Sequence, residues 1–290
     1  MLNKNLLFFV SDLHGKENRY EKLFTAITKE RPGLVMIGGD ILPSGILKNI
    51  IKQTEHFDFI RSYINPKLVN LKKNLKDDYP IIGVILGNDD PRSEEPSLIE
   101  LEKSGLWHYI HFRQIQYGCF TICGYSYVPP TPFRLKDWER YDVSRFVDPG
   151  CLAPDEGIRT VTVSDDEAVY STIMKDIAVL TENLDMAKTI MLFHSPPYDS
   201  YLDRAALDGM QVDHAPLDVH VGSIAIQRFI AEKQPFITLH GHVHESSRLT
   251  GYWRQHFNKT NAFSAAYDGE ELALVRIDLD NPENACRVLI

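Results

Sequence analysis

Leu6-Leu7-Phe8-Phe9-Val10-Ser11-Asp12-Leu13-His14-Gly15 joins an unbroken apolar run to a carboxylate and an imidazole two residues apart. Five consecutive apolar residues leave no face for water, so the run reads as a strand covered on both sides in a parallel or mixed sheet. The arrangement recurs four times. Residues 34–37 lead into Gly38-Gly39-Asp40, residues 81–86 into Gly87-Asn88-Asp89-Asp90, residues 190–193 into His194-Ser195, and residues 236–239 into Gly241-His242-Val243-His244. In open α/β sheets ligands bind beyond the carboxyl ends of the strands. The pattern therefore predicts an α/β fold that gathers five distant segments at one edge.

Helical signals alternate with these strands. Residues 18–30 carry Tyr20, Leu23, Phe24 and Ile27 at helical spacing, and Arg31-Pro32-Gly33 ends the run. Ser97-Leu98-Ile99-Glu100 and Ser164-Asp165-Asp166-Glu167 read as capping boxes, the second opening one helix with Val169, Ile173, Ile177 and Leu180 on a single face. Residues 224–232 form a further helix before Pro235. Between residues 46 and 75 two helical stretches are expected, broken at Asn65-Pro66 with Asn65 capping the second. Residues 129–163 mix five prolines and two glycines with Trp138, Tyr141 and Phe146 and lack a period, the signature of an irregular insertion. Residues 271–279 alternate like a late strand.

Composition narrows the function classes. At 290 residues, 43% hydrophobic and 24% charged, the chain has the material for one large α/β domain, and 1–290 reads as a single unit. A formal net charge of -9 argues against a protein that coats nucleic acid, because that affinity comes from lysine and arginine on phosphates. A small phosphate ester remains compatible, since bound metals invert the local field. Cys119, Cys123, Cys151 and Cys286 form no CxxC pair and read as reduced and structural, with Cys119 and Cys123 filling core space from one face of a strand. The first apolar run is too short for a membrane span and lacks a cleavage site. A cytoplasmic protein without a membrane partner is expected; oligomeric state is open.

The seven polar side chains are the informative part. Carboxylate, amide and imidazole donors without thiolates suit divalent metals that activate water, and a close metal pair needs a bridging ligand. Asp40 is the best bridge, because Gly38 and Gly39 leave no side chain in the way. Asp12 and His14, two apart in an extended strand end, would point the same way, and His242 and His244 repeat that geometry. Asn88 offers a neutral oxygen and His194 completes the set. Taken singly, each residue has a plainer explanation as a helix cap, a turn residue or a core histidine. Five strand ends carrying ligand types together do not.

The set DxH, GGD, GN, H and GHxH, running from Asp12 to His244, resembles the calcineurin-like metallophosphoesterase superfamily, and the tract His220-Val221-Gly222-Ser223 resembles its bacterial and archaeal single-domain branch. The resemblance implies a four-layer α/β/β/α sandwich of two mixed sheets. It implies that Asp12, His14, Asp40 and His244 hold one metal while Asp40, Asn88, His194 and His242 hold the other. Two divalent ions are the expected cofactor, manganese or iron ahead of zinc, cobalt or nickel. The expected activity is hydrolysis of a phosphodiester or activated phosphate ester by a metal-activated hydroxide, with Asn88 also touching substrate oxygen. A phosphomonoesterase or nuclease on the same site, and a protein-binding scaffold with weak catalysis, are the alternatives.

Two departures stand out. Many members carry a histidine after the GN dipeptide, where it protonates the leaving oxygen; here that position is Asp89, which leaves the general acid open. His220, and less so His214, are candidates to replace it. Asn261-Ala262-Phe263 stands where the family often shows an asparagine, proline, glycine turn. Arg134, Arg140 and Arg145 could grip a phosphate, or simply form a solvated loop face. His240 reads as a core histidine, and Lys67, Lys72, Lys73 and Lys76 as a wet helix face.

Overall fold

The computed structural model describes residues 1–45 and 58–290. In chain order the strands are β1 (Asn3–Val10), β2 (Pro32–Gly38), β3 (Ile81–Ile85), β4 (His108–Tyr109), β5 (Arg113–Tyr117), β6 (Phe120–Tyr125) and β7 (Thr189–Phe193). They continue with β8 (Gln211–Val212), β9 (Ala215–Pro216), β10 (Ile237–His240), β11 (Arg254–Phe257), β12 (Thr260–Ser264), β13 (Ala273–Asp278) and β14 (Cys286–Leu289). One sheet has the order β14-β13-β1-β2-β3-β4 and a second the order β11-β12-β10-β7-β6-β5. Both are mixed: β1, β2, β3 and β4 run parallel, β13 opposes them and the edge strand β14 reverses again, and β12, β10, β7 and β6 run parallel between antiparallel edge strands.

Period-two alternation explains the layering. On β1, Phe8 and Val10 pack with the helical residues Tyr20, Leu23 and Ile27, whereas Leu7 and Phe9 join Ile190, Leu192, Ile237 and Leu239 of the other sheet. Each central strand is thus apolar on both faces, one turned to helices and one to the opposite sheet. Four layers result, helix, sheet, sheet and helix, as the resemblance implied.

The five apolar runs fall on β1, β2, β3, β7 and β10, and their C-terminal ends lie level: Val10 pairs with Ile37, Gly38 with Ile85, and Leu239 with Leu192. Helix Glu17–Glu30 ends on Arg31, whose left-handed φ of 49° lets its N–H donate to the Ile27 carbonyl before Pro32 starts β2. Helix Ile224–Lys233 and strand β13 also form where expected.

Several local expectations change. No capping box forms at Ser97: the helix spans Glu95–Lys103, started by Pro96 in its first turn, and Ser97 is buried inside it. The segment after Ser164 is two helices, Asp165–Tyr170 and Ile173–Leu180, because Thr172 turns extended to bridge Tyr141 and then caps the second helix by accepting the Lys175 N–H. Asn65 does not break its helix. It has helical dihedrals of -54° and -56°, and its N–H donates to the Ile60 carbonyl in a widened π turn, Ile60–Ile64, that accommodates the missing donor of Pro66. Of the first helix expected after residue 46, residues 46–57 lie outside the described residues, and its described end is the π turn Ile60–Ile64. Cys119 is exposed in the turn between β5 and β6, so only Cys123 fills core space.

The insertion 129–163 is ordered without regular structure. Trp138 is fully buried, Lys136 and Glu139 form an ion pair with no exposure of either side chain, and Leu135 bridges Ile158. Asp142 docks the segment on helix Ile224–Lys233 by accepting the Ser223 hydroxyl and the Ile224 N–H, each at 2.6 Å. No helix among the described residues is long and apolar enough to cross a membrane.

Candidate metal centre

The loop after β1 doubles back at once. Asp12 and His14 have φ values of 57° and 48°, and their N–H groups donate to the Gly39 and Asp40 carbonyls at 3.0 and 2.8 Å. The expected extended strand end is therefore incorrect: a left-handed coil, repeated at Asp40 (49°) and His242 (74°), turns the side chains inward. Such backbone costs roughly 1–2 kcal/mol per residue away from glycine, and it persists where the surroundings over-determine it.

The ligand atoms of Asp12, His14, Asp40 and His244 all lie within 4.8 Å of one another. Nε2 of His14 stands 3.1 Å from Nε2 of His244, which is itself 3.2 Å from Asp12 Oδ1. On the other side of Asp40, Nδ1 of His194 donates to the Gly38 carbonyl at 2.8 Å. A carbonyl only accepts, so the histidine Nε2 is the atom turned to Asn88 Oδ1 (3.0 Å) and Asp40 Oδ2 (3.4 Å). The His242 ring lies 5.2 Å from the His194 ring, and its backbone N–H donates to both Asp12 oxygens at 3.1 and 3.2 Å. Asp40 stands between the two groups.

Space around the cluster is reserved by glycine. A Cβ on Gly39 would lie 2.7 Å from His194 Nδ1, one on Gly87 2.3 Å from Asp40 Oδ1, and one on Gly241 2.8 Å from Asp12 Oδ2. Oxygen and imidazole donors converging from two sides of one carboxylate suit a divalent pair, so the residues fit the metals the donor set implies.

Electrostatics agree. Burial opposes charge on His14, yet Asp89, Asp40 and Asp12 outweigh it and raise its pKa to about 9. Burial likewise opposes charge on His194, but Asp40 and Asp12 raise it to about 9. Burial pushes against ionisation of Asp12, and the bond to His244 overcomes it, bringing the carboxyl to about 2. The same balance, won by His194 and His14, holds Asp40 well below the carboxylate range. His242 is different: burial, with the charge of His194 beside it, lowers it to about 3 and keeps the ring neutral. Asp40 and Asp12 make this pocket one that demands positive charge.

Asp89 is half-exposed rather than aimed across the cluster. Its N–H donates to Asp40 Oδ1 at 2.8 Å, and its carboxylate faces His14 Nδ1 at 3.4 Å, where Ser44 Oγ also lies at 3.0 Å. His220 has Asp203, Asp199 and Tyr198 as partners, with Nδ1 2.7 Å from Asp203 Oδ1, and none of these is in the seven-residue set. His214 is exposed in the β8–β9 turn. His240 is a satisfied core residue between Ser195 O and Thr238 Oγ1. Arg140 is engaged by Glu167 and Asp176, and Arg145 lies against Tyr141; Arg134 is exposed.

Sequence reading missed three residues. Asp90 is fully buried and accepts N–H bonds from Ile41, Leu42 and Gly87, tying two ligand loops together; burial, then Asp40, raises its pKa to about 7. Asp203 is fully buried and accepts from Asp199, Ser200 and Gly222 besides His220. Arg19 reaches the Asp12 carbonyl from helix Glu17–Glu30. Only Arg19 carries a sequence signal, a charge next to Tyr20 on the apolar helix face.

The chain matches the family model of the calcineurin-like phosphoesterases over residues 6–246. No curated protein matches it. Among solved structures, one chain 16% identical superposes with a TM-score of 0.57, covering 99% of this chain and 98% of the other. TT1561 of Thermus thermophilus, 12% identical, gives 0.54 over 98% of both chains. A dimetal phosphatase from Danio rerio, also 12% identical, gives 0.51 over 94% of this chain and 92% of its own. Identities this low establish the shared fold.

Proposed function

Because the chain belongs to the calcineurin-like phosphoesterase family, we propose that it is a two-metal hydrolase acting on a phosphodiester or an activated phosphate ester. The observation that carries this reading is the convergence on Asp40, with His14, His244 and Asp12 on one side and His194, Asn88 and His242 on the other. The dimetal phosphatase likeness supports it.

In this reading Asp12, His14, Asp40 and His244 hold one ion and Asp40, Asn88, His194 and His242 the second. When bound, such ions supply Lewis acidity toward phosphoryl oxygens and a water whose pKa falls to about 7. The chain supplies the rest. The Gly38 carbonyl fixes the His194 tautomer, the Asp89 N–H and the Asp90 carboxylate hold the Asp40 and Gly87 loops, and Asn88 presents its amide to a substrate oxygen. Asp89 faces His14 and is left out as proton donor, which favours leaving groups that depart without protonation. His220, oriented by Asp203, is the candidate donor for less activated esters. The insertion 129–163 is a wall of the same 1–290 unit, and the substrate is a small phosphate ester free of membrane or long nucleic acid. Manganese or iron is the preferred metal, and the cytoplasm the setting.

Metal analysis together with turnover of bis(p-nitrophenyl) phosphate beside p-nitrophenyl phosphate tests this. Two bound ions and faster diester cleavage are expected; turnover insensitive to chelator defeats the metal reading, and faster monoester cleavage defeats the diester preference. Asp40→Asn should lose bound metal and turnover together.

A further inference from the structure

Arg19 is 4% exposed, yet its guanidinium meets no carboxylate within ion-pair distance among the described residues. Instead its fork spans two backbone carbonyls: Nη1 donates to Asp12 O at 2.6 Å and Nη2 to Gly269 O, while Nε is buried without a partner. A buried cation is expensive unless its charge is used. The carbonyl it grips belongs to a left-handed residue, φ 57°, whose carboxylate accepts the His242 N–H with both oxygens and stands 3.2 Å from His244 Nε2.

We propose that Arg19 is a positioning residue for the metal centre, holding the strained Asp12 loop against the loop before β13 so that the carboxylate stays aimed at the ion. The geometry has three links. Helix Glu17–Glu30 fixes Arg19, since its own N–H donates to the Lys16 carbonyl at 2.8 Å. Gly269 anchors the far arm, and Lys16 joins the same loop through Glu270 at 3.5 Å. Asp12 then transmits the hold to His242, two residues before His244. Removing one carbonyl contact frees the loop to relax out of the left-handed region, which moves the Asp12 oxygens rather than only lowering stability.

This rests on the two-metal reading above, and the test separates the two. Arg19→Met, Arg19→Lys and the parent are titrated with Co²⁺, recording affinity by calorimetry and the visible ligand-field spectrum, below the melting temperature of each. The methionine variant should bind Co²⁺ roughly 10- to 100-fold more weakly, the scale for losing a group that supports a ligand, with a shifted spectrum. Lysine keeps the charge but reaches one carbonyl, so it should fall between. A folded Arg19→Met with parental affinity and spectrum overturns the assignment while leaving the two-metal reading intact. If methionine prevents folding, Arg19→Lys decides: parental affinity and spectrum again overturn it. A parent that binds no Co²⁺ overturns the two-metal reading and this one with it.

Discussion

Adding one methyl group at Gly87 should disable the metal centre. A Cβ there would lie 2.3 Å from Asp40 Oδ1, 2.5 Å from the Asp40 backbone nitrogen and 2.6 Å from His194 Cε1, against ordinary contacts of 3.4 Å or more. The carboxylate could swing aside, but the backbone nitrogen cannot, so the Asp40 loop must retreat by about 1 Å. Metal ligands tolerate about 0.2 Å, and a misplacement of about 1 Å costs on the order of 100-fold in a reacting geometry. Gly87→Ala is therefore expected to weaken Mn²⁺ binding by about 100-fold, with roughly 1–3 kcal/mol lost from overpacking. Gly209→Ala serves as control: its φ of 69° strains the backbone, but nothing lies within 4 Å of the added carbon. Calorimetric Mn²⁺ titration of both variants, with urea unfolding alongside, separates the effects. Parental Mn²⁺ affinity in a folded Gly87→Ala protein would refute the reasoning.

Three further outcomes follow from the packing. Burial, then Arg92 and Arg140, pushes His111 from 6.5 to about 3, so it is neutral in the folded protein. Its contribution is complete above the unfolded value of 6.5 and is lost as pH falls toward 3; at about 1.4 kcal/mol per unit, about 2 kcal/mol should be gone near pH 5, a slope that His111→Gln should remove from urea-unfolding curves. Lys136→Met leaves Glu139 buried and unpaired, and differential scanning calorimetry should show a loss of about 3–5 kcal/mol; a loss below about 1 kcal/mol would mean the pair is dispensable. His220→Ala should remove the basic limb of the pH profile for a poorly activated ester and leave an aryl diester untouched; identical profiles exclude it as donor.

The readable part of the fold was the part in which one residue type has few uses. Strands buried on both faces must be apolar throughout, so β1, β2, β3, β7 and β10 announced themselves, and the polar residues after them could only line one edge. The backbone between those residues was hidden, because Asp12, His14, Asp40 and His242 adopt left-handed conformations set by tertiary hydrogen bonds rather than local preference. Ser97 failed as a cap for a similar reason: a nearby Pro96 specifies a helix start more strongly than a serine does. The interior of residues 129–163 was illegible because its stability comes from long-range pairings such as Asp142 with Ser223, which leave no period behind.

The centre draws Asp12, His14, Asp40 and Asn88 from one sheet and His194, His242 and His244 from the other, so 232 residues separate Asp12 from His244. A chain still being synthesised lacks His242 and His244 until its last quarter emerges. In the two-metal reading, the full donor set exists only once the two halves meet. In that reading, bound ions would add to the polar ties already joining the two halves, the His194 bond to the Gly38 carbonyl and the His242 N–H bond to Asp12, so stripping them should loosen the seam between the sheets.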